Sequence, residues 1–344
     1  MNRLRCLAGI GLSYLPVLAC AAVIGVICAL AGDLHTALWL LAAAVVGYGV
    51  IYVQSGRGGI RYTGVQVTAA SQPALMALVD SVVSRTSIRR LDGVWLQAGA
   101  NAFALLGRRD WLGRQHVGIA IGLLTAAHLS VEELTAILAH EAGHLTDANR
   151  LRYFLGRRRD YAVTKLERRT ARPLWWFWRW FLTVTREQGL SIERHADAAS
   201  AQLCGTDVAQ RAQYRAAEAG VVHGIAMTGF VRPLWQARIA PTSLFEIYQE
   251  VWTNRARVSA AVRSRLSSPD QPADTHPGLA ERCGGRYFVP PPGLSADLQL
   301  VQLAELDRRC TAQLTQRHCK FVVQPQGWSE VTPDVLRAAR AAAS

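Results

Sequence analysis

The 344-residue chain has no C-x-x-C pair, and its seven cysteines (Cys6, Cys20, Cys28, Cys204, Cys283, Cys310 and Cys319) are odd in number and scattered. That pattern argues against a disulfide framework and predicts reduced thiols in a cytoplasmic compartment. Acidic residues are also short, 25 against 38 Lys and Arg, and the resulting formal charge of +13 predicts an anionic partner. No nucleic-acid-binding motif accompanies that charge, so the expected partner is a lipid bilayer with an anionic leaflet and not nucleic acid.

Charge is nearly missing from the N-terminal stretch. Leu7 to Ala31 and Leu34 to Val53 are almost wholly apolar, separated only by the break at Gly32-Asp33. Each run is long enough to cross a hydrocarbon layer of about 30 Å as a helix, and the join permits only a tight hairpin. Arg3 and Arg5 precede the pair, and Arg57 and Arg61 follow it, so both ends are expected on the cytoplasmic side. A secretory signal ending at Ala29-Leu30-Ala31, or a lipobox at Val17-Leu18-Ala19-Cys20, is the competing reading. The length of the first run and the immediate second one weigh against it.

What the rest of the chain contains is organised around Ser130 to Leu145. Ser130 followed by Glu133, just before Leu134, Ile137 and Leu138, is a capping box that predicts a helix running through His140 and His144. The two imidazoles then lie one turn apart on one face. Such a pair can hold a zinc ion, and Glu141 between them can take a proton from water, the H-E-x-x-H arrangement. An ordinary amphipathic helix with two satisfied histidines is the plain alternative. A catalytic zinc needs a third protein ligand. A histidine six residues on is ruled out because that position is Arg150, and the glycine it would require is Asp147. Leu190 to Ala201 reads as a helix with Glu193 and Asp197 on one face. Glu193 can ligate the metal, and Asp197, one turn on, can accept a ring N–H of a ligating histidine. His195 points elsewhere and is expected to be structural.

Upstream, Pro73 to Val83 has helical spacing, and three short apolar runs (Val94-Trp95-Leu96, Asn101 to Leu106, Val117 to Ile121) predict a small sheet. An extended substrate can lie along an exposed edge of such a sheet. Downstream of the motif, Arg150 to Arg172 is basic, and Pro173 to Leu182 is rich in tryptophan, too short to span a bilayer, and interrupted by Arg179. An interfacial docking segment or an aromatic core helix both fit that composition. The chain is then helical to about Leu266, loops through Ser267 to Pro272, and resumes with helices expected from Ala296 to Leu314 and from Pro333. His276 can donate to a developing oxyanion or can be a simple turn residue.

Asn101-Ala102-Phe103-Ala104, His140-Glu141-Ala142-Gly143-His144, the Glu193 to Asp197 spacing, and Thr275-His276-Pro277 with Glu281-Arg282 occur in the order seen in a known family. Together they resemble the membrane metallopeptidases that include HtpX, the CAAX prenyl endopeptidases and the Oma-type proteases. The resemblance implies an α+β, mostly helical zincin-like domain with a small sheet, here preceded by the N-terminal transmembrane hairpin. It implies a zinc endopeptidase with His140, His144 and Glu193 as ligands, Glu141 as base, and Asp197 behind a ligand. It also makes His276 a transition-state donor and Asn101, Ala102 and Phe103 substrate contacts. The expected organisation is a hairpin at 1–55, a peptidase domain at 56–285 with the basic and aromatic segment at about 150–182, and a helical extension at 286–344. The expected placement is a multi-pass inner-membrane protein with its catalytic domain in the cytoplasm, cutting misfolded or regulated membrane proteins. A non-catalytic scaffold that keeps the fold only for binding is the rival. The lack of a second pair of transmembrane segments between the metal helix and Glu193 departs from HtpX-like members.

Overall fold

The computed structural model describes residues 64–86, 88, 91–109, 115–145, 175–268, 277–289, 298–319 and 321–341, with isolated positions elsewhere. A four-stranded sheet is built from β1 (Val65–Val67), β2 (Gly93–Gln97), β3 (Ala102–Arg109) and β4 (Gln115–Gly122) in the order β1-β2-β4-β3. β2 and β4 run parallel, while β1 and β3 are antiparallel to their neighbours, which leaves β3 on an edge. Before β2, helix α1 (Pro73–Ser84) buries Leu75, Val79 and Val82 at the predicted spacing. The short α2 (Leu123–His128) separates β4 from α3 (Val131–Leu145), a break that the apolar pair Leu123-Leu124 did not signal.

Helix α3 starts where its capping box requires. Ser130 Oγ accepts from the Glu133 N–H at 3.2 Å, and Glu133 Oε2 accepts from the Ser130 N–H at 3.0 Å. Glu132 and Glu133 also place negative charge at the positive end of the helix dipole. Leu134, Leu138, Ala139 and Ala142 sink into a core shared with Val94, Leu96, Ile119 and Ile121 of the sheet. The helix is thereby pinned beneath the strands, and its histidine face is left for the next layer.

After α4 (Trp175–Val184), that layer is supplied by α5 (Arg186–Cys204) and α6 (Thr206–Ala226). α5 lies close on α3 because the contact residues are small. A Cβ on Gly143 would stand 3.1 Å from Ala196 Cα and 3.4 Å from Ala199 Cβ. Ser200 Oγ donates to the Ala136 carbonyl at 2.7 Å and joins the two helices through a buried bond. Beyond a π-helical turn (Met227–Val231) come α7 (Arg232–Gln236), α8 (Leu244–Thr253) and α9 (Arg255–Ser267). With α6 they enclose a second core containing Tyr214, Val222, Trp235, Ile247, Tyr248 and Val262. The chain ends with α10 (Leu279–Arg282), α11 (Leu303–His318) and α12 (Pro333–Ala341). β5 (Ile239–Pro241) pairs in parallel with β6 (Gln324–Gln326), a second sheet that the sequence pattern did not announce.

The tryptophan-rich segment forms the ten-residue α4, which divides its aromatics. Phe177, Trp178, Phe181 and Leu182 are buried, whereas Trp175, Trp176 and Trp180 are exposed. Arg159 of the basic stretch is buried and donates to the Leu182 carbonyl and to Thr185 Oγ1, both at 2.8 Å.

The multi-pass inner-membrane placement is corrected here: among the described residues, no helix is long and apolar enough to cross a membrane. The spans expected at 7–31 and 34–53 fall mostly outside the described residues. Cys204, Cys283, Cys310 and Cys319 are free thiols.

The α3–α5 contact has no spare room, so Gly143→Val is expected to cost about 1–3 kcal/mol by overpacking. Denaturant unfolding beside wild type measures the loss, and an unchanged midpoint would contradict the close approach.

Candidate metal centre

The helical period brings His140 and His144 to one side of α3, with ring centroids 4.9 Å apart. α5 presents Glu193 to the same space. His140 Nε2 and His144 Nε2 are 3.3 Å apart, and the Glu193 carboxylate oxygens lie 3.6 Å from the first and 3.7 Å from the second. Four tetrahedral donors about 2.0–2.2 Å from one ion are separated by similar distances, so the three side chains fit a single metal. Among the described residues, this is the group of histidine, cysteine and carboxylate side chains that could hold one. Two neutral imidazoles and a carboxylate are also a donor set suited to zinc.

The ring orientation of His140 is set from behind. Its Nδ1 lies 2.9 Å from Asp197 Oδ1, so donation to that carboxylate leaves Nε2 facing the metal position. Burial disfavours the imidazolium, but the bonded carboxylates of Asp197 and Glu193 outweigh it and raise the His140 pKa to about 9. Burial also works to raise Asp197, yet the His140 bond and the Arg282 charge overcome it and lower its pKa to about 2. Arg282 on α10 grips the carboxylate at both oxygens, 2.8 Å from Oδ1 and 3.1 Å from Oδ2. Gln213 of α6 donates to Oδ1 at 3.3 Å. Beside this clamp, Glu281 receives Arg194 of α5 at 2.7 Å and 3.4 Å.

Glu141 faces the other way, towards the sheet. Its Oε2 accepts the Ala104 N–H at 2.8 Å, which ties the carboxylate to edge strand β3. Asn101 is exposed just ahead of that strand, and Ala102 pairs with Ile121. Phe103 packs against the cluster of Trp95, Leu105 and Ala120. The structure thus brings His140, His144, Glu193, Asp197 and Glu141 together. His276 lies outside the described residues. Sequence reasoning missed the partnership of Arg282 with Asp197, although the Glu-Arg pair was noticed as a motif. Nothing in the sequence marks Gln213, and the Asn101 to Ala104 motif did not announce that the Ala104 amide meets Glu141; both contacts arise only when distant elements pack.

A histidine pair on one helix, a carboxylate from a later helix and a glutamate hydrogen-bonded to a sheet edge define the site type of a metallopeptidase. The chain belongs to peptidase family M48, whose model matches residues 69–284, and this is the family of HtpX-like, CAAX-prenyl and Oma-type zinc metallopeptidases. No curated protein and no solved structure matches the chain.

Removing the carboxylate behind His140 should loosen the metal without removing a ligand. Asp197→Ala is expected to weaken zinc binding about 10–100-fold. Competition with a chromogenic chelator reads the affinity directly, and an undiminished value would mean that Asp197 does not orient His140.

Proposed function

We propose that the chain is a zinc-dependent endopeptidase that hydrolyses polypeptide held in extended form along β3. The observation that carries this reading is the bond between Glu141 and the Ala104 amide beside the His140, His144 and Glu193 donors. It sets a carboxylate between a metal position and the strand edge on which a peptide would be paired.

Zinc, when held by His140, His144 and Glu193, supplies a Lewis acid that polarises the scissile carbonyl and makes water a stronger nucleophile. Glu141 removes the proton of the attacking water and delivers it to the leaving amine. The Ala104 N–H holds one carboxylate oxygen of Glu141, which leaves the other for that exchange. Asp197 keeps His140 in the Nδ1–H tautomer, and Arg282 keeps Asp197 ionised and in place. The role of His276 as donor to the developing oxyanion, and those of Asn101 to Phe103 as substrate contacts, rest on family resemblance. A membrane-protein substrate depended on spans that no described helix supplies. The proposal is therefore confined to unfolded or extended protein.

Glu141→Gln preserves side-chain size but cannot accept the proton. Casein cleavage is expected to fall about 10²–10⁴-fold while zinc remains bound. Cleavage by the variant at the wild-type rate would remove Glu141 from the mechanism. Absence of cleavage by either zinc-loaded protein would overturn the hydrolase reading in favour of a binding scaffold.

A further inference from the structure

A cavity of about 240 Å³ opens between α5, α6 and α10. Its lining includes none of His140, His144, Glu193 or β3. It borders the centre at one place, the Asp197–Arg282 pair, which forms part of its wall.

The wall charges are balanced in pairs, Arg282 with Asp197 and Arg194 with Glu281, and Glu187, outside the lining, lies 3.8 Å from Arg194 as well. An anion drawn to either arginine would meet a carboxylate beside it, and a cation would meet a guanidinium. A ligand carrying both charges meets neither objection, because its carboxylate can face Arg194 while its ammonium faces Glu281 or Asp197. Two amide side chains, Gln210 and Gln213, also line the cavity. Among the described residues Gln210 has no hydrogen-bond partner, and Gln213 donates its amide nitrogen to Asp197 while its Oε1 accepts from none of them. A side-chain amide that can both donate and accept is complementary to one peptide unit. The floor is made of small residues, including Ala201 and Ala209. With about 30 Å³ of liquid volume per water, the space holds a molecule of about eight to ten heavy atoms.

We infer that this cavity is a binding site for a short zwitterionic peptide of dipeptide size, coupled to the metal centre through Asp197. An ammonium group bonded to Asp197 competes with His140 Nδ1 for the same carboxylate. Occupancy therefore weakens the hold on His140, and metal affinity falls. By reciprocity, metal binding weakens the peptide to the same degree. The binding itself does not depend on whether the protein hydrolyses anything.

The test is calorimetric titration of the full chain, metal-free and zinc-loaded, with glycylglycine. Parallel titrations use its N-acetylated form, its C-terminal amide, and inorganic phosphate. Saturable binding of glycylglycine is expected, with each blocked form and phosphate weaker by about tenfold or more. Zinc affinity from chelator competition, after subtraction of the zinc that free glycylglycine holds in a protein-free blank, is expected to drop about tenfold at saturating dipeptide in the wild type and not in Ala201→Phe. Ala201→Phe, which fills the cavity, should abolish binding. Gln210→Ala should weaken it about tenfold, and it keeps the test decisive if the bulky variant disturbs packing. Both variants should cut casein as wild type does when no dipeptide is added, so failure here is distinct from failure of the hydrolase reading. No binding of glycylglycine, equal binding of the blocked forms, or undiminished binding by both variants would overturn the site. Zinc affinity unchanged with dipeptide bound would overturn the coupling.

Discussion

The close approach of α5 to α3 is the constraint on which the centre depends. Gly143 and Ala196 let the backbones meet at a distance that larger side chains would forbid, and the buried bond from Ser200 to the Ala136 carbonyl holds them there. Glu193 lies about one turn before Ala196, so this packing delivers its carboxylate to the histidine pair. Three donors from two helices can match an ion radius only if the helices are held rigidly, and small residues at the seam meet that need. The other face of α3 is anchored by apolar side chains under the sheet. The metal position is therefore fixed by core packing on one side and by backbone proximity on the other.

A second layer of charge keeps those donors oriented. Arg282 holds Asp197, and Asp197 holds His140, so a residue on a four-residue helix near the end of the family domain helps set the orientation of a candidate metal-binding histidine far upstream. The N-terminus of α3 is tied in a similar way. Glu133 caps its own helix and also receives Arg211 from α6 at 2.9 Å. One carboxylate thereby starts the metal helix and clamps it to a later element. These pairs are partly buried, so removing one partner leaves a poorly solvated charge behind, which costs more than the intact pair contributes.

Composition was a poor guide to which charged and aromatic residues meet water. Arg159, from the basic stretch before α4, is buried, and it lies so close to Gly189 that a Cβ there would stand 2.6 Å from its Nε. The aromatic helix is half buried and half exposed, so neither of the two alternatives drawn from composition describes it alone. The membrane hairpin suggested by hydropathy lies mostly outside the described residues, and among those residues no helix is long and apolar enough to cross a bilayer.

The sequence by itself determined what depends on neighbours a few positions apart. The capping box, the helical face of His140 and His144, the spacing of Glu193 and Asp197, the three apolar strands and the family membership follow from periodicity, cap chemistry and motif order. Tertiary structure decided which distant groups meet. The pairing of Arg282 with Asp197, the Ala104 amide on Glu141, the parallel β5–β6 pair and the burial of Arg159 join segments many residues apart. The late start of α11 at Leu303, past the Ala296 suggested by propensity, belongs with them. Such contacts are set by the packing of whole elements, whose free energy sums over many side chains, and no local window of sequence contains that sum.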